Sequence, residues 1–182
     1  MNLPCSLDPA LHGTLRCGLS LLLLSATAHK LRDPRAFTAA VAGYHIVPRA
    51  GSIAVSRLII AAELLVGAAL LLTRDPAPAW GAAGLLATYT LAIVINLLRG
   101  RRDIDCGCAG PIRRVPIGGP LVIRNLVLIA AALMASLPYA PRALTWLDDV
   151  TLVCALTALA LMYSAVEIAM AHPIRLALQV EG

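Results

Sequence analysis

Apolar side chains gather in five long blocks along this chain, at residues 11–31, 53–73, 77–98, 117–137 and 149–171, separated by short polar connections. Each block has close to the roughly 20 residues that a helix needs to cross a bilayer's hydrocarbon core. The pattern predicts an all-α, polytopic transmembrane bundle, four core helices plus one additional, in a single membrane domain over residues 1–182. The polar connections leave no room for a separate soluble domain, and the chain shows neither an internal repeat nor a low-complexity tract. Only Arg74-Asp75-Pro76-Ala77-Pro78 joins the second block to the third, so these two form an antiparallel hairpin, with proline tolerated where early helical N–H groups lack acceptors.

Within residues 32–51, Phe37, Val41 and Tyr44 follow helical spacing. They predict a short amphipathic helix at the membrane interface, closed by Pro48 and Gly51, with an ordered loop as the alternative. The first block has a rival reading as a signal peptide, because Ser20-Leu21-Leu22-Leu23-Leu24 resembles an h-region and Ala26-Thr27-Ala28 a cleavage site. The leader before it contains Asp8 and His12 with Arg16 as its basic side chain, a weak n-region that favours a spanning helix.

Composition agrees with the pattern. The chain is 59% hydrophobic and 14% charged, where a soluble domain has roughly a quarter charged residues. The net charge of +5 comes from arginines that flank apolar blocks, which makes them topology signals and lipid-headgroup contacts. Without a basic patch interleaved with aromatics, nucleic acid is excluded as a partner and the lipid bilayer takes its place. Five spans put the first and third connections and the C-terminus on one face. Assigned to the nearest end, twelve basic residues fall on that face (Lys30, Arg32, Arg35, Arg49, Arg57, Arg99, Arg101, Arg102, Arg113, Arg114, Arg124, Arg175) and three on the other (Arg16, Arg74, Arg142). The positive-inside rule turns the crowded face toward the cytoplasm of a multi-pass plasma-membrane protein, with Trp80 and Trp146 in the opposite interface.

Two features carry candidate chemistry. Glu63 lies about ten residues into its block, near the bilayer midplane at 1.5 Å per residue, where an unpaired carboxylate is expensive. It requires a partner or a proton. Arg124 and Asn125, within about two turns of the start of the fourth block, are the candidates to meet it. Either Glu63 forms a buried pair with a basic or amide group, or Glu63, Arg124 and Asn125 together hold a proton or a quinone. Gly67, one turn on, leaves room for a neighbouring helix.

The second feature is Cys106-Gly107-Cys108 in an Arg-rich connection. Glycine between the cysteines lets the chain turn tightly enough for the sulfurs to meet. A disulfide across one residue departs from relaxed geometry, and such disulfides are labile or catalytic, so Cys106 and Cys108 are the candidate catalytic residues. Arg101, Arg102, Arg113 and Arg114 favour the thiolate, whereas Asp103 and Asp105 oppose it. Zinc usually takes four N or S ligands; His29 and His45 share this face but without zinc-site spacing, so no metal is assigned. An inert pair in a tight turn is the bland alternative. Cys17 and Cys154 lie at similar depths and would pair only if the first and fifth helices touch; otherwise they are packing residues.

Lys30 with Asp33 and Phe37, Tyr44 with Pro48, Glu63 with Gly67, Asp105-Cys106-Gly107-Cys108-Ala109-Gly110 and Arg124-Asn125 together resemble the methylamine-utilisation MauE family, itself grouped with DoxX-like membrane proteins. The resemblance covers residues 11–137. It implies a helical-bundle membrane protein associated with thiol redox, working beside a thioredoxin-like partner in the maturation of disulfide-rich exported proteins such as the small subunit of methylamine dehydrogenase. Ala109 departs from the aromatic residue frequent there in the family, and a fifth span follows the usual four. The implied role is extracytoplasmic, opposite to the side that the charges favour. A thiol-disulfide oxidoreductase component with a quinone as acceptor is therefore expected; a non-catalytic assembly scaffold and, more weakly, a proton-coupled transporter are the alternatives.

Overall fold

A computed structural model describes residues 7–101, 117–139, 142, 143 and 145–180, without the side chains of 163 and 166–180. Cys106 and Cys108 lie outside the described residues. Among the described residues six α-helices follow in order: α1 (Pro9–Arg32), α2 (Pro34–Gly43), α3 (Ser52–Leu72), α4 (Ala77–Leu98), α5 (Gly119–Ala135) and α6 (Trp146–Val180).

Asp-Pro dipeptides start three of them. Asp8 Oδ1 accepts from Ala10 N at 2.8 Å, Asp33 Oδ1 from Ala36 N at 2.9 Å and Asp75 Oδ1 from Ala77 N at 2.8 Å. In each case the carboxylate satisfies an orphan N–H, and the following proline presets the helical φ.

Helix α1 packs chiefly on α3 and α4 on α5, while α3–α4 and α1–α5 contacts close the ring. The core at one end consists of Leu19, Leu23, Leu70, Leu86 and the alanines Ala79, Ala82, Ala83, Ala132 and Ala135. Such small residues allow close helix approach where lipid leaves little hydrophobic drive for association. Leu58, Leu65, Leu72, Leu91, Leu98, Ile123 and Val127 point outward, whereas Ser20, Thr27, Ser52, Ser56, Glu63, Asn96 and Asn125 are buried. Large apolar side chains outside and polar ones inside are what hydrocarbon solvent selects.

Among the described residues, two helices have the length and apolarity to cross a membrane: α3 with its preceding 3-10 turn, Arg49–Leu72, and α4, Ala77–Leu98. Of the other three predicted spans, α1 and α5 do not meet that measure, and α6 is described only in part. Helix α5 is apolar but has 17 residues, about 26 Å at 1.5 Å per residue, slightly less than the hydrocarbon thickness. Helix α1 is long enough but less apolar, because His12, Arg16, Ser20, Thr27 and Lys30 form a buried stripe at helical spacing. Helix α6 runs to Val180, through Pro173 where the sequence suggests a stop. Proline removes one N–H from the ladder without obliging the chain to leave the helix.

The amphipathic segment is present as α2, with Phe37 buried. Helix α6 touches α1, where Gly13 and Gly18 face Leu152, Leu156 and Leu159. Cys17 and Cys154 are nonetheless both free thiols. At about 100° per residue Cys154 lies some 200° around the helix from Leu152, and it is exposed.

Candidate functional site

Arg16 sets the register between α1 and α3. Its Nε donates to Leu70 O at 3.2 Å, Nη2 to Thr73 O at 2.8 Å and Nη1 to Asp75 O at 2.9 Å. These contacts satisfy carbonyls at and just beyond the C-terminus of α3. Ser20 Oγ, one turn along, donates to Gly67 O at 2.6 Å. Gly67 makes room there, since a Cβ would stand 3.0 Å from the Leu24 side chain and push it aside. Because the start of α1 meets the end of α3, the end of α1 meets the first half of α3.

That alignment delivers Lys30 to Glu63. The two form an ion pair, with both side chains almost fully buried. Tyr89 Oη donates to Glu63 Oε1 at 2.7 Å, and Thr27 Oγ1 lies 3.4 Å from Oε2. The Lys30 ammonium also lies 4.8 Å from the centre of the Phe37 ring and 5.2 Å from that of Tyr89. A carboxylate, two aromatic faces and two hydroxyls thus replace the water lost by both charges. The carboxylate of Glu63 is therefore met by Lys30. Arg124 Nη2 donates instead to Asn125 Oδ1 at 3.4 Å.

Lys30, Tyr89 and Thr27 are the site residues that sequence reasoning missed. Tyr89 had a usable signal: it follows the α3–α4 turn by about as many residues as Glu63 precedes it, so an antiparallel hairpin brings the two close. Lys30 was among the residues that carry the family resemblance, but nothing in its position along the chain marked it as the partner of Glu63.

Above this pair lies a cavity of about 170 Å³. Phe37 and Val41 of α2 and Tyr44, Ile46 and Val47 of the following turn form its roof; Val55 and Ile59 of α3 with Thr88, Ala92 and Ile93 of α4 form its walls. Lys30, Tyr89 and Asn125 supply its polar groups. Of the predicted set, Asn125 therefore borders the cavity and Glu63 lies behind Lys30 and Tyr89. The connection bearing Cys106 and Cys108 leaves the bundle at this end. Ile117, at its close, packs with Ile93 and Leu121 and against Tyr44. Arg99, at its start, donates to the carbonyl of His45 at 3.4 Å, and His45 takes a left-handed φ of 49° in the roof turn.

The family model of methylamine utilisation protein MauE matches residues 8–138. The chain belongs to the MauE family. MauE of Paracoccus denitrificans is 37% identical over 143 residues, covering 76% of this chain and 77% of that protein. MauE of Paracoccus versutus is 36% identical over 130 residues, with 71% and 70% covered. MauE of Methylophilus methylotrophus is 30% identical over 169 residues, with 91% and 89% covered. No solved structure matches the chain. The MauE match runs from the α1 cap, Asp8, to Pro138, whose carbonyl accepts from Leu7 N at 3.1 Å, so it contains the α1–α5 bundle, the cavity and the cysteine-bearing connection. Helix α6 lies beyond it.

Proposed function

We propose that this MauE protein is a multi-pass plasma-membrane thiol-redox component that supports disulfide formation in exported proteins with a thioredoxin-like partner, as in methylamine dehydrogenase biogenesis. The single observation that carries the reading is that the residues flanking the Cys106-Gly107-Cys108 segment, Arg99 and Ile117, contact His45, Tyr44 and Ile93, at the end of the bundle that holds the apolar cavity. In the oxidising direction a thiolate of the reduced partner attacks the Cys106–Cys108 disulfide. That bond breaks as a mixed disulfide forms, and the partner's second thiolate then displaces it. The partner leaves oxidised and Cys106 and Cys108 remain as a dithiol. Their reoxidation sends two electrons and two protons to a membrane quinone, which becomes the quinol.

In this reading all five apolar helices α1, α3, α4, α5 and α6 span the bilayer; oxidation of a partner of exported proteins calls for an extracytoplasmic connection, the positive-inside rule for a cytoplasmic one. The charge asymmetry supports that side. Of the three basic residues opposite, Arg16 is engaged with backbone carbonyls and Arg142 is paired with Asp8 and Asp148; on the crowded face Lys30 is paired with Glu63.

Trapping tests the chemistry. A single Cys106→Ala or Cys108→Ala variant, expressed with its native partners, accumulates a reducible mixed disulfide with one thioredoxin-like protein. Absence of that adduct from both variants, with exported disulfides still forming in the double variant, would assign the protein to non-catalytic scaffolding.

A further inference from the structure

We infer that the cavity under α2 is the binding site for the ring of a lipid-soluble quinone, held by Lys30 and Asn125 and entered sideways between α3 and α4. The inference rests on the redox reading above for what the quinone does, and on the cavity alone for where it binds.

Size comes first. A cavity of about 150 Å³ lined by aliphatic and aromatic groups accepts a benzene ring, so about 170 Å³ suits one six-membered ring with small substituents. Shape agrees, since Phe37, Tyr44 and Tyr89 present aromatic surface to the space.

Polar groups then define the ligand's chemistry. Asn125 is buried and borders the cavity; its Oδ1 accepts from Arg124, which leaves its Nδ2 as the donor to offer. Among the described residues the ammonium of Lys30 has one hydrogen-bond acceptor, Glu63, and otherwise faces the rings of Phe37 and Tyr89. Two donors in an apolar chamber call for a ligand that brings acceptors. Charge narrows the choice further. Glu63 already neutralises Lys30, so the ligand need not bring a charge of its own, and carbonyl oxygens on a neutral ring suffice. A quinone offers two carbonyls and no charge.

Access explains the tail. The exposed side chains Thr88 and Ile46 mark the rim, and Leu58 and Leu91 extend an outward apolar surface on α3 and α4 beside it. A ring that enters here leaves its chain in hydrocarbon. On reduction, Lys30, bonded to Glu63 beside Tyr89, stands at one of the two quinol oxygens that must gain a proton.

The experiment uses the full chain in lipid nanodiscs with decylubiquinone as probe and oleate as competitor, and reads binding by equilibrium partition and by photolabelling with an azido-quinone. Wild type binds and is labelled within residues 37–47 or 88–93. Ala92→Phe and Val55→Phe, which fill the chamber from opposite walls, bind at least tenfold more weakly, and Asn125→Leu about tenfold more weakly, the usual consequence of deleting one buried partner. Each variant is first shown to retain its helical circular dichroism and monodisperse size. Unchanged affinity in both filled variants overturns the site, as does equal binding of oleate, which would make the chamber an acyl-chain pocket. The Cys106→Ser/Cys108→Ser protein separates the two claims. It keeps quinone binding while losing thiol-dependent quinone reduction. Wild-type protein that binds quinone but never reduces it leaves the site standing and removes the redox reading, whereas quinone reduction that persists in the filled variants removes the site and leaves the redox reading.

Discussion

Glu63 and Lys30 are a pair whose members cannot be removed singly. Glu63→Gln leaves an ammonium in the bundle without its counter-charge, and loss of one partner of a buried pair typically costs about 3–5 kcal/mol. Denaturant titration in detergent should show that loss. The double variant Lys30→Met/Glu63→Leu should recover most of it, because apolar groups of similar volume need no counter-charge. Arg16 works differently, as three donors to three backbone carbonyls. Arg16→Met should lower stability by about 2–3 kcal/mol in the same titration, and Arg16→Lys should restore only part, since an ammonium cannot reproduce the planar fork. Sequence reasoning saw that Glu63 required a partner. It did not choose Lys30 over Arg124, because both are basic residues on one face and the choice depends on how α1 and α5 are rotated about their own axes.

At the scale of elements, the ends of α1 and α6 are joined by Arg142. Its guanidinium bonds Asp8 at 3.0 Å and Asp148 at 2.6 Å, both outside the apolar helix segments. The hydrogen bond from Arg142 holds each carboxyl below its ordinary value of 3.8, helped by backbone N–H groups of Ala10 and Thr145. A depressed carboxylate pKa contributes stability that is complete above the ordinary value and lost as pH falls through the lowered one. Docking of α6 on α1, followed by fluorescence energy transfer between labels on the two helices, should therefore be flat from pH 7 to about 5 and weaken only in stronger acid, below 3.8. Arg142→Ala should loosen the contact at neutral pH and remove that acid dependence. The elements themselves were largely legible: α4 begins and ends where its apolar block does, and α3 is displaced by one residue at each end. The excess length of α6 was not, because local proline chemistry suggests a stop that the surrounding helix overrides.

The whole molecule has two unlike ends. One carries the buried ion pair, the cavity and the attachment points of the cysteine connection; the other carries the alanine-rich core and the Arg142 tie. With the connection toward the cytoplasm, a membrane-impermeant maleimide should label Cys106 and Cys108 only in inside-out vesicles, and Thr145→Cys only in right-side-out ones. The reverse pattern would turn the bundle over and agree with the extracytoplasmic role that MauE resemblance implies.

By itself the sequence determined roughly where the long helices lie, through apolar block lengths, that the exterior is apolar, and that an intramembrane carboxylate must be matched. These follow from interactions within a few residues along the chain, where spacing is a direct guide to geometry. Only the tertiary structure decided that Lys30, Tyr89 and Thr27 meet Glu63, that Asn125 shares a chamber with the aromatic residues of α2 and its turn, and that Cys154 turns away from α1. Each of those depends on the rotation and depth of one helix against another, which packing sets and no single periodicity records.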